Sequence, residues 1–530
     1  MEVDEQMESN STVNHVAAAL TLQHRKLSIL WKSMLVGIGA SVVVSAYRYA
    51  LTRIETLTHE GYEALRHGPA GWIILAFVAL VIAGAGVGWL VKRNPMIGGS
   101  GIPQVKGVIL GHFSYPWLET LVAKFAGGCV SLLAGLSLGR EGPSIQLGAT
   151  VAQGIASKVS PTRTERKILI ASGASAGLAA AFNAPLAGVI FVLEEIFRYF
   201  SPVILLSTMV SAVVADFFSK MVFGMQPVFS FTVLRPVPLS GYGMLLLLGA
   251  LTGAAGAGYN AVLLFTQRLY RRGNRLPVWG RPVIPFVLAG LLGLVFPVVT
   301  GSGHRMLALF RLDTPWTLLL LVLAVKFIFS MLSFGSGAPG GIFFPLLILG
   351  ANLGALFAMV CVDWMGWPAD LYDNLIILAM AGMFAGIVRA PVTGVVLLLE
   401  MTGSFHQLLP LSVVSLVAFV SADVLRSAPI YESLLDGLVG GKDLPRGQAL
   451  GGKRITAEFV VHHGSLAEKT AVRDLHLPAR CLLVAVSRGG HDILPKGDTR
   501  LLAGDMLVVL TDTACEGAVR QALEALTTAP

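Results

Sequence analysis

Glu141 is the residue of this chain best placed to do chemistry. It stands in Gly139-Arg140-Glu141-Gly142-Pro143, a carboxylate between glycines at the mouth of a helix, inside a stretch otherwise fit for lipid. A charge at hydrocarbon depth costs about 2.5–3.5 kcal/mol on insertion scales, so an intramembrane ionisable residue is a functional candidate by default. Two further Gly/Pro interruptions accompany it, Gly98-Gly99-Ser100-Gly101-Ile102-Pro103 and Gly337-Ala338-Pro339-Gly340-Gly341-Ile342-Phe343-Phe344-Pro345. Proline suits a first helical turn and glycine frees the backbone, so each reads as a helix start. Such irregular backbone survives in a bilayer only where it is buried in protein or lines a cavity. Helix N-termini converging there would offer N–H donors and partial positive charge, about 0.3–2 kcal/mol each for an anion. The chemistry these residues predict is an anion pathway with a titratable gate.

Composition supports the setting. The 530 residues are 54% hydrophobic and 13% charged, against about 25% charged in a soluble protein. Long apolar runs predict membrane helices: Trp72–Val91, Met244–Phe265, Val283–Val299, Trp316–Leu332 and Leu375–Leu399, with Ser28–Leu51 and Pro202–Val222 carrying a few polar residues. Met1–Asn10 is acidic and the first apolar run starts near Leu30, which does not read as a cleavable signal peptide. Cys129, Cys361, Cys481 and Cys515 show neither metal spacing nor a disulfide framework and read as small hydrophobes. No metal and no cofactor is implied; His462-His463 reads as a solvated surface pair.

A net charge of +8 could suggest nucleic acid, but its distribution argues against that partner. The basic residues gather at His24-Arg25-Lys26, across Lys158–Lys167, and across Arg268–Arg281. Short basic loops of this kind mark the cytoplasmic side. Both termini are therefore expected in the cytoplasm of a multi-pass protein of the cell membrane.

The expected organisation is an N-terminal arm (1–27, with a short amphipathic helix across Val13–Lys26), a membrane domain (28–440), a Gly/Pro/charge-rich linker (441–454) and a small soluble α+β domain (455–530). In the last, Cys481–Val486 and Met506–Leu510 read as strands, Gly489-Gly490 and Ala503-Gly504-Asp505 as turns, and Glu516–Leu526 as a closing amphipathic helix. The membrane domain repeats itself, roughly as 28–235 and 236–440. At an offset of 202 residues Gly99-Ser100-Gly101 falls on Gly301-Ser302-Gly303, Lys124-Phe125 on Lys326-Phe327, and Gly139 and Pro143 on Gly341 and Pro345. A slip to 206 aligns Ala184-Pro185, Gly188 and Glu194 with Ala390-Pro391, Gly394 and Glu400. Duplication with broken apolar segments is the signature of transporter folds, with the site at the repeat interface.

With GSGIPQ, GREGPSIQLG and GGIFFP in this order and spacing, the chain resembles the CLC family of chloride channels and proton-coupled chloride antiporters over most of residues 28–440. The resemblance implies an all-α membrane domain of tilted and broken helices in an inverted repeat, a homodimer, and one anion pathway per subunit. By motif, Ser100 resembles the serine whose hydroxyl donates to chloride. Ile342 and Phe343 resemble the pair whose backbone amides bind the same ion, and Tyr431 the tyrosine whose phenol closes the site. Glu141 resembles the external gate, which competes with chloride when ionised and carries a proton when neutral. Glu195 resembles the internal glutamate that delivers protons in antiporters; channel members of the family replace it. Ser100, where some relatives carry proline or methionine, implies preference for chloride over nitrate or fluoride.

Read from the residues alone, other roles stay open. Glu141 could be a structural carboxylate paired with Arg140, Glu195 a solvated helix end near Arg198, Ser100 a helix cap, and Tyr431 an interfacial aromatic. Lys124 and Lys326 share a structural task, with Lys124 adding field near the anion, and Glu400 pairs structurally.

The tail, from Val472-Arg473-Asp474-Leu475 to Leu507-Val508-Val509-Leu510, resembles the TrkA-C regulatory lobe, which implies a small-molecule effector or a dimerisation role. The expected function is chloride transport by H+/Cl− exchange; the alternative is a passive, voltage- or pH-gated chloride channel on the same fold. An intramembrane hydrolase would need a nucleophile–base pair or metal ligands in the apolar runs, and no His-containing constellation is found there, so an enzyme is not expected.

Overall fold

A computed structural model of the chain describes residues 2–160, 162–229, 231, 235–272, 277–440, 454–475, 477–478, 481–488, 491–512 and 516–528. It divides into two compact units, Met1–Gly441 and Lys442–Pro530. The expected linker, apart from Arg454 at its end, lies outside the described residues, as do Gly489-Gly490 and Cys515.

The first half of the membrane unit comprises α1 (Glu2–His67), α2 (Ala70–Arg93), α3 (Ile102–Leu110), α4 (Trp117–Leu133), α5 (Glu141–Val159) and α6 (Arg163–Phe182). It continues with α7 (Pro185–Phe191), which runs into a π-helical turn, Val192–Phe197, and with α8 (Pro202–Phe223). The second half holds α9 (Tyr242–Arg272), α10 (Val283–Val295), α11 (Trp316–Gly335) and α12 (Phe343–Met359). Then follow α13 (Tyr372–Val388), α14 (Pro391–Thr402), α15 (Leu408–Val424) and α16 (Ile430–Val439). Among the described residues, nine helical segments are long and apolar enough to cross a bilayer.

Two expectations change. Helix α1 has no boundary at residue 27, so the arm joins the first membrane helix without a break. The apolar run Leu375–Leu399 is two helices, because Pro391 ends the ladder before it and Arg389 turns into the left-handed region at φ +68°. Asn183 makes the same left-handed cap at φ +55° in the first half, 206 residues earlier, before Pro185.

Small residues set the helix spacing. A Cβ on Gly148 would lie 2.2 Å from the Gly173 carbonyl oxygen, and one on Gly177 2.2 Å from that of Ser144. Helices α5 and α6 thus touch backbone to backbone, as small residues permit in membranes. Gly177→Val is expected to cost at least the ~1–3 kcal/mol of core overpacking, read as a lower melting temperature in detergent; an unchanged melt would contradict this contact.

The two halves meet symmetrically. Gly139 and Gly341, equivalent in the repeat, exchange both backbone hydrogen bonds at 2.7 Å in an antiparallel bridge. The Gly99 amide donates to the Gly337 carbonyl at 3.4 Å, and its counterpart Gly301 donates to the Gly135 carbonyl at 2.8 Å. Antiparallel pairing of equivalent residues places a local two-fold axis between Gly139 and Gly341, so the halves are inverted about it.

The second unit is an antiparallel sheet of order β1-β4-β2-β3, built from β1 (Arg454–Val460), β2 (Cys481–Arg488), β3 (His491–Ile493) and β4 (Met506–Asp512). Helix α17 (Glu516–Thr527) places Val519 and Leu523, one turn apart, in a core with Phe459, Val486, Leu507 and Val509. Asp505 fixes the turn into β4. Its carboxylate accepts from Arg488 Nε and Nη2 at 2.8 and 2.7 Å and from the Leu502 amide at 2.8 Å. Burial pushes its pKa up, but these donors and the Arg488 charge outweigh burial and hold the carboxyl below the usual aspartate range. A depressed folded value adds stability that is present above the unfolded pKa of about 3.9 and lost as pH falls through the folded value. Amide exchange over β1 and β4 in the full chain should therefore speed up, beyond its intrinsic pH dependence, only in that acid window. Asp505→Asn should show the loss already at neutral pH, and equal protection in the two proteins there would contradict the assignment.

Candidate anion and proton site

Ser100 sits in a turn that only glycines can flank. Gly101 has φ +92°, and a Cβ there would fall 2.2 Å from Gln146 Oε1. The turn hangs from Lys124, whose buried ammonium donates to the carbonyls of Ile97 and Gly99 at 2.9 and 2.7 Å. Lys326 does the same for Val299 and Gly301 in the second half, at 3.0 and 2.8 Å. These lysines act as loop anchors. The Ser100 hydroxyl accepts from the Ile102 amide two residues on at 3.3 Å, a serine turn just ahead of α3, whose N-cap is Gly101 and not Ser100. That bond uses a lone pair and leaves the hydroxyl hydrogen for a ligand.

The three interrupted segments abut at one place. A Cβ on Gly142, beside Glu141, would sit 2.8 Å from Ser100, and one on Gly341, beside Ile342, 3.1 Å from the Gly142 amide nitrogen. Glu141 opens α5, and Ile342 and Phe343 open α12. The first amides of a helix have no intrahelical acceptor, and at these openings the amides of Glu141 and Phe344 serve the Glu141 carboxylate itself. Tyr431 lies in the first turn of α16 and packs edge-on against Phe191 at 6.5 Å; Phe191 in turn packs against Phe343 at 6.4 Å. Ser100, Glu141, Glu195, Ile342, Phe343 and Tyr431 are each at most 2% exposed, so none faces lipid or bulk water. Two of their polar atoms, Glu141 Oε2 and the Tyr431 hydroxyl, are buried with no hydrogen-bond partner. Unsatisfied buried polar atoms cost about 1–3 kcal/mol each; an anion at this point would accept from the Tyr431 hydroxyl, whereas Glu141 Oε2 is an acceptor that only a proton or a donor group relieves.

Glu195 takes a different position from its neighbour Glu194. It lies in the π-helical turn, a distortion common at functional sites. Its carboxylate meets Lys106 Nζ of α3 at 3.0 Å and Arg198 at 3.9 Å, and Arg198 pairs with Glu432 at 2.8 and 2.9 Å. The solvated helix end that the residue order left open is therefore not what forms. Tyr431 is close enough to both Glu195 and Glu141 to interact with their charges. Sequence reasoning missed Lys106; an ionisable residue within membrane helix α3 was the available signal.

Glu194 instead caps the second half. It accepts from the Val392 and Thr393 amides at 3.1 and 2.7 Å and from the Thr393 hydroxyl at 2.7 Å. Glu400, its repeat mate, accepts from the Leu186 and Ala187 amides at 3.0 and 2.8 Å. Each carboxylate sits on the opposite half's helix N-terminus, where both dipole and free amides favour it. No group of three or more His, Cys, Asp or Glu able to hold a metal occurs among the described residues.

Fold and site together define a multi-pass membrane protein with inverted halves, whose buried acidic residue and helix openings converge at the repeat interface. The family model "Voltage gated chloride channel" matches residues 83–423, and the "TrkA-C domain" model matches residues 456–522. The H(+)/Cl(−) exchange transporter ClcA of Vibrio cholerae is 36% identical over 422 residues, covering 77% of this chain and 89% of that protein. The ClcA of Salmonella typhimurium is 32% identical over 434 residues, covering 79% and 90%. A solved structure of a slow cyanobacterial Cl−/H+ antiporter matches with TM-score 0.74 at 31% identity, covering 78% of this chain and 99% of that one. The chain belongs to the voltage gated chloride channel (CLC) family and carries a C-terminal TrkA-C domain.

Proposed function

We propose that the protein exchanges chloride for protons across a membrane. The observation that carries this reading is the presence of two buried carboxylates, Glu141 and Glu195, both within charge range of the buried Tyr431. A passive anion path needs no second acid, whereas an exchanger needs a group to pass protons to the gate. Chloride is coordinated by the Ser100 hydroxyl, the amides of Ile342 and Phe343, and the Tyr431 phenol. No charged side chain supplies these donors, so the ion is held and still released. Glu141 is the gate: its carboxylate competes for the same donors, and its protonated form vacates them and carries a proton. Glu195 passes protons between one face and Glu141, and it is absent from that role in a channel.

The relatives named exchange transporters support the same activity. The protein works as a homodimer in a lipid bilayer with both termini cytoplasmic, a placement supported by the basic loops at Lys158–Lys167 and Arg268–Arg281. The TrkA-C domain binds a small effector or joins the two copies.

Purified protein in a planar bilayer, under a proton gradient and symmetric chloride, tests the reading. An exchanger shows a reversal potential displaced from zero by the proton gradient. A reversal potential pinned at zero would make the protein a channel instead.

A further inference from the structure

The second-half copy of the anion loop, Gly301-Ser302-Gly303, has its own occupant. Gly301 and Gly303 hold φ of +66° and +100°, as Gly99 and Gly101 hold +63° and +92°, and Lys326 anchors this loop as Lys124 anchors the first. The side chain over it is Glu55 of α1: the Ser302 hydroxyl donates to Glu55 Oε1 at 2.6 Å. A small cavity of about 40 Å³ adjoins the pair, walled by Glu55, His59, Ser302, His304 and Arg305. It is distinct from the cavity of about 150 Å³ that reaches Ser100. The latter is lined by Arg281, just before α10, and the former by Pro297, just after it, so the two lie at opposite ends of that helix.

We propose that Gly301-Ser302-Gly303 is a second halide subsite, in which the Glu55 carboxylate is a tethered stand-in for the anion. The inference is one of chemistry by equivalence. The same turn, the same lysine anchor and the same serine recur, and the serine hydroxyl donates to a single negative group. The surroundings favour a negative occupant. Lys326 lies within charge range of Glu55, Arg140 reaches Thr52 one turn away on α1 at 3.3 Å, and Arg305 and His304 stand in the cavity wall. The groups facing Glu55 are thus Lys326 from α11, His59 on α1 itself, His304 and Arg305 beyond the Gly301-Ser302-Gly303 turn, and Glu141 at the start of α5, with Arg140 further off beside Thr52 and His304. Only Glu141 opposes it. Neutralising Glu55 leaves a hydroxyl-bearing pocket, walled by Arg305, without its anion, and a halide small enough for the cavity takes that place. His304 stacks on Phe344 at 5.8 Å, and Phe344 follows Phe343 at the opening of α12, so the subsite adjoins the central one.

The test is bromide anomalous diffraction on the full chain, in wild type and in Glu55→Gln, with wild type also measured at acid pH where carboxylates take up protons. Bromide should be absent beside Ser302 in wild type at neutral pH, and present in Glu55→Gln and in acid wild type. Ser302→Ala in the Glu55→Gln background should lower that occupancy at least tenfold. No bromide beside Ser302 in Glu55→Gln, or none in acid wild type, overturns the proposal; if the variant does not fold, the acid wild type decides. Bromide beside Ser100 is read in the same crystals, so failure here is distinguishable from failure of the central site.

Discussion

Glu141→Gln is expected to abolish proton transport while chloride still crosses. The glutamine cannot take up or release a proton, and its amide lacks the charge that lets the carboxylate displace chloride. Both halves of the gate cycle are lost together. The donors proposed for chloride, namely the Ser100 hydroxyl, the α12 amides and the Tyr431 phenol, survive the substitution. Chloride flux should therefore stay within roughly tenfold of wild type, about 1.4 kcal/mol of barrier, and should lose its pH dependence. Liposomes reporting chloride and pH together give both numbers from one sample. Proton pumping that persists in the variant would remove Glu141 from the gate and leave its unpartnered Oε2 without an explanation.

The second large effect is expected at Glu195. Glu195→Gln should also stop proton transport with chloride flux retained, and it should lower stability as well. Lys106, only 4% exposed, would lose the opposite charge 3.0 Å away. Removing one member of a buried ion pair costs about 3–5 kcal/mol, part of which the amide oxygen recovers by accepting from the ammonium. The two consequences can be separated. Lys106→Met combined with Glu195→Gln removes both charges, so it should regain much of the melting temperature and none of the proton coupling. If the double variant pumped protons, Glu195 would be a packing residue. If the single variant kept its stoichiometry, the proton route would have to begin elsewhere.

These residues also show how far the sequence could be read. The repeat offsets of 202 and 206 anticipated which positions correspond, and the two lysine anchors, the glycine bridge and the Glu194–Glu400 pair all fall on them. A conserved turn chemistry written twice is visible because Gly, Ser, Lys and Pro each have few backbone roles. The inversion was not visible, since a list of equivalent residues carries no direction; it took the antiparallel Gly139–Gly341 bridge to show it. The apolar run Leu375–Leu399 read as one helix because hydropathy does not register a left-handed Arg389 before a proline. Lys106 and Glu55 were missed for another reason. Their partners lie 89 and 247 residues away, and neither spacing follows from a helical or strand period. Candidate residues that sit in motifs stand out in the sequence, whereas the partner of a residue that acts by crossing the fold does not.

The reciprocal caps have a consequence for how the protein is made. Leu186 and Ala187 leave the ribosome 214 and 213 residues ahead of the Glu400 that will satisfy their amides. At about 5–20 residues per second that gap lasts some 10–40 s. For that interval the nascent first half waits in the bilayer with two bare donors, and a chain halted before residue 400 never satisfies them with its own glutamate. Premature termination before residue 400, even late in the second half, should thus yield a product that quality control can recognise by its first half, not merely by its missing end.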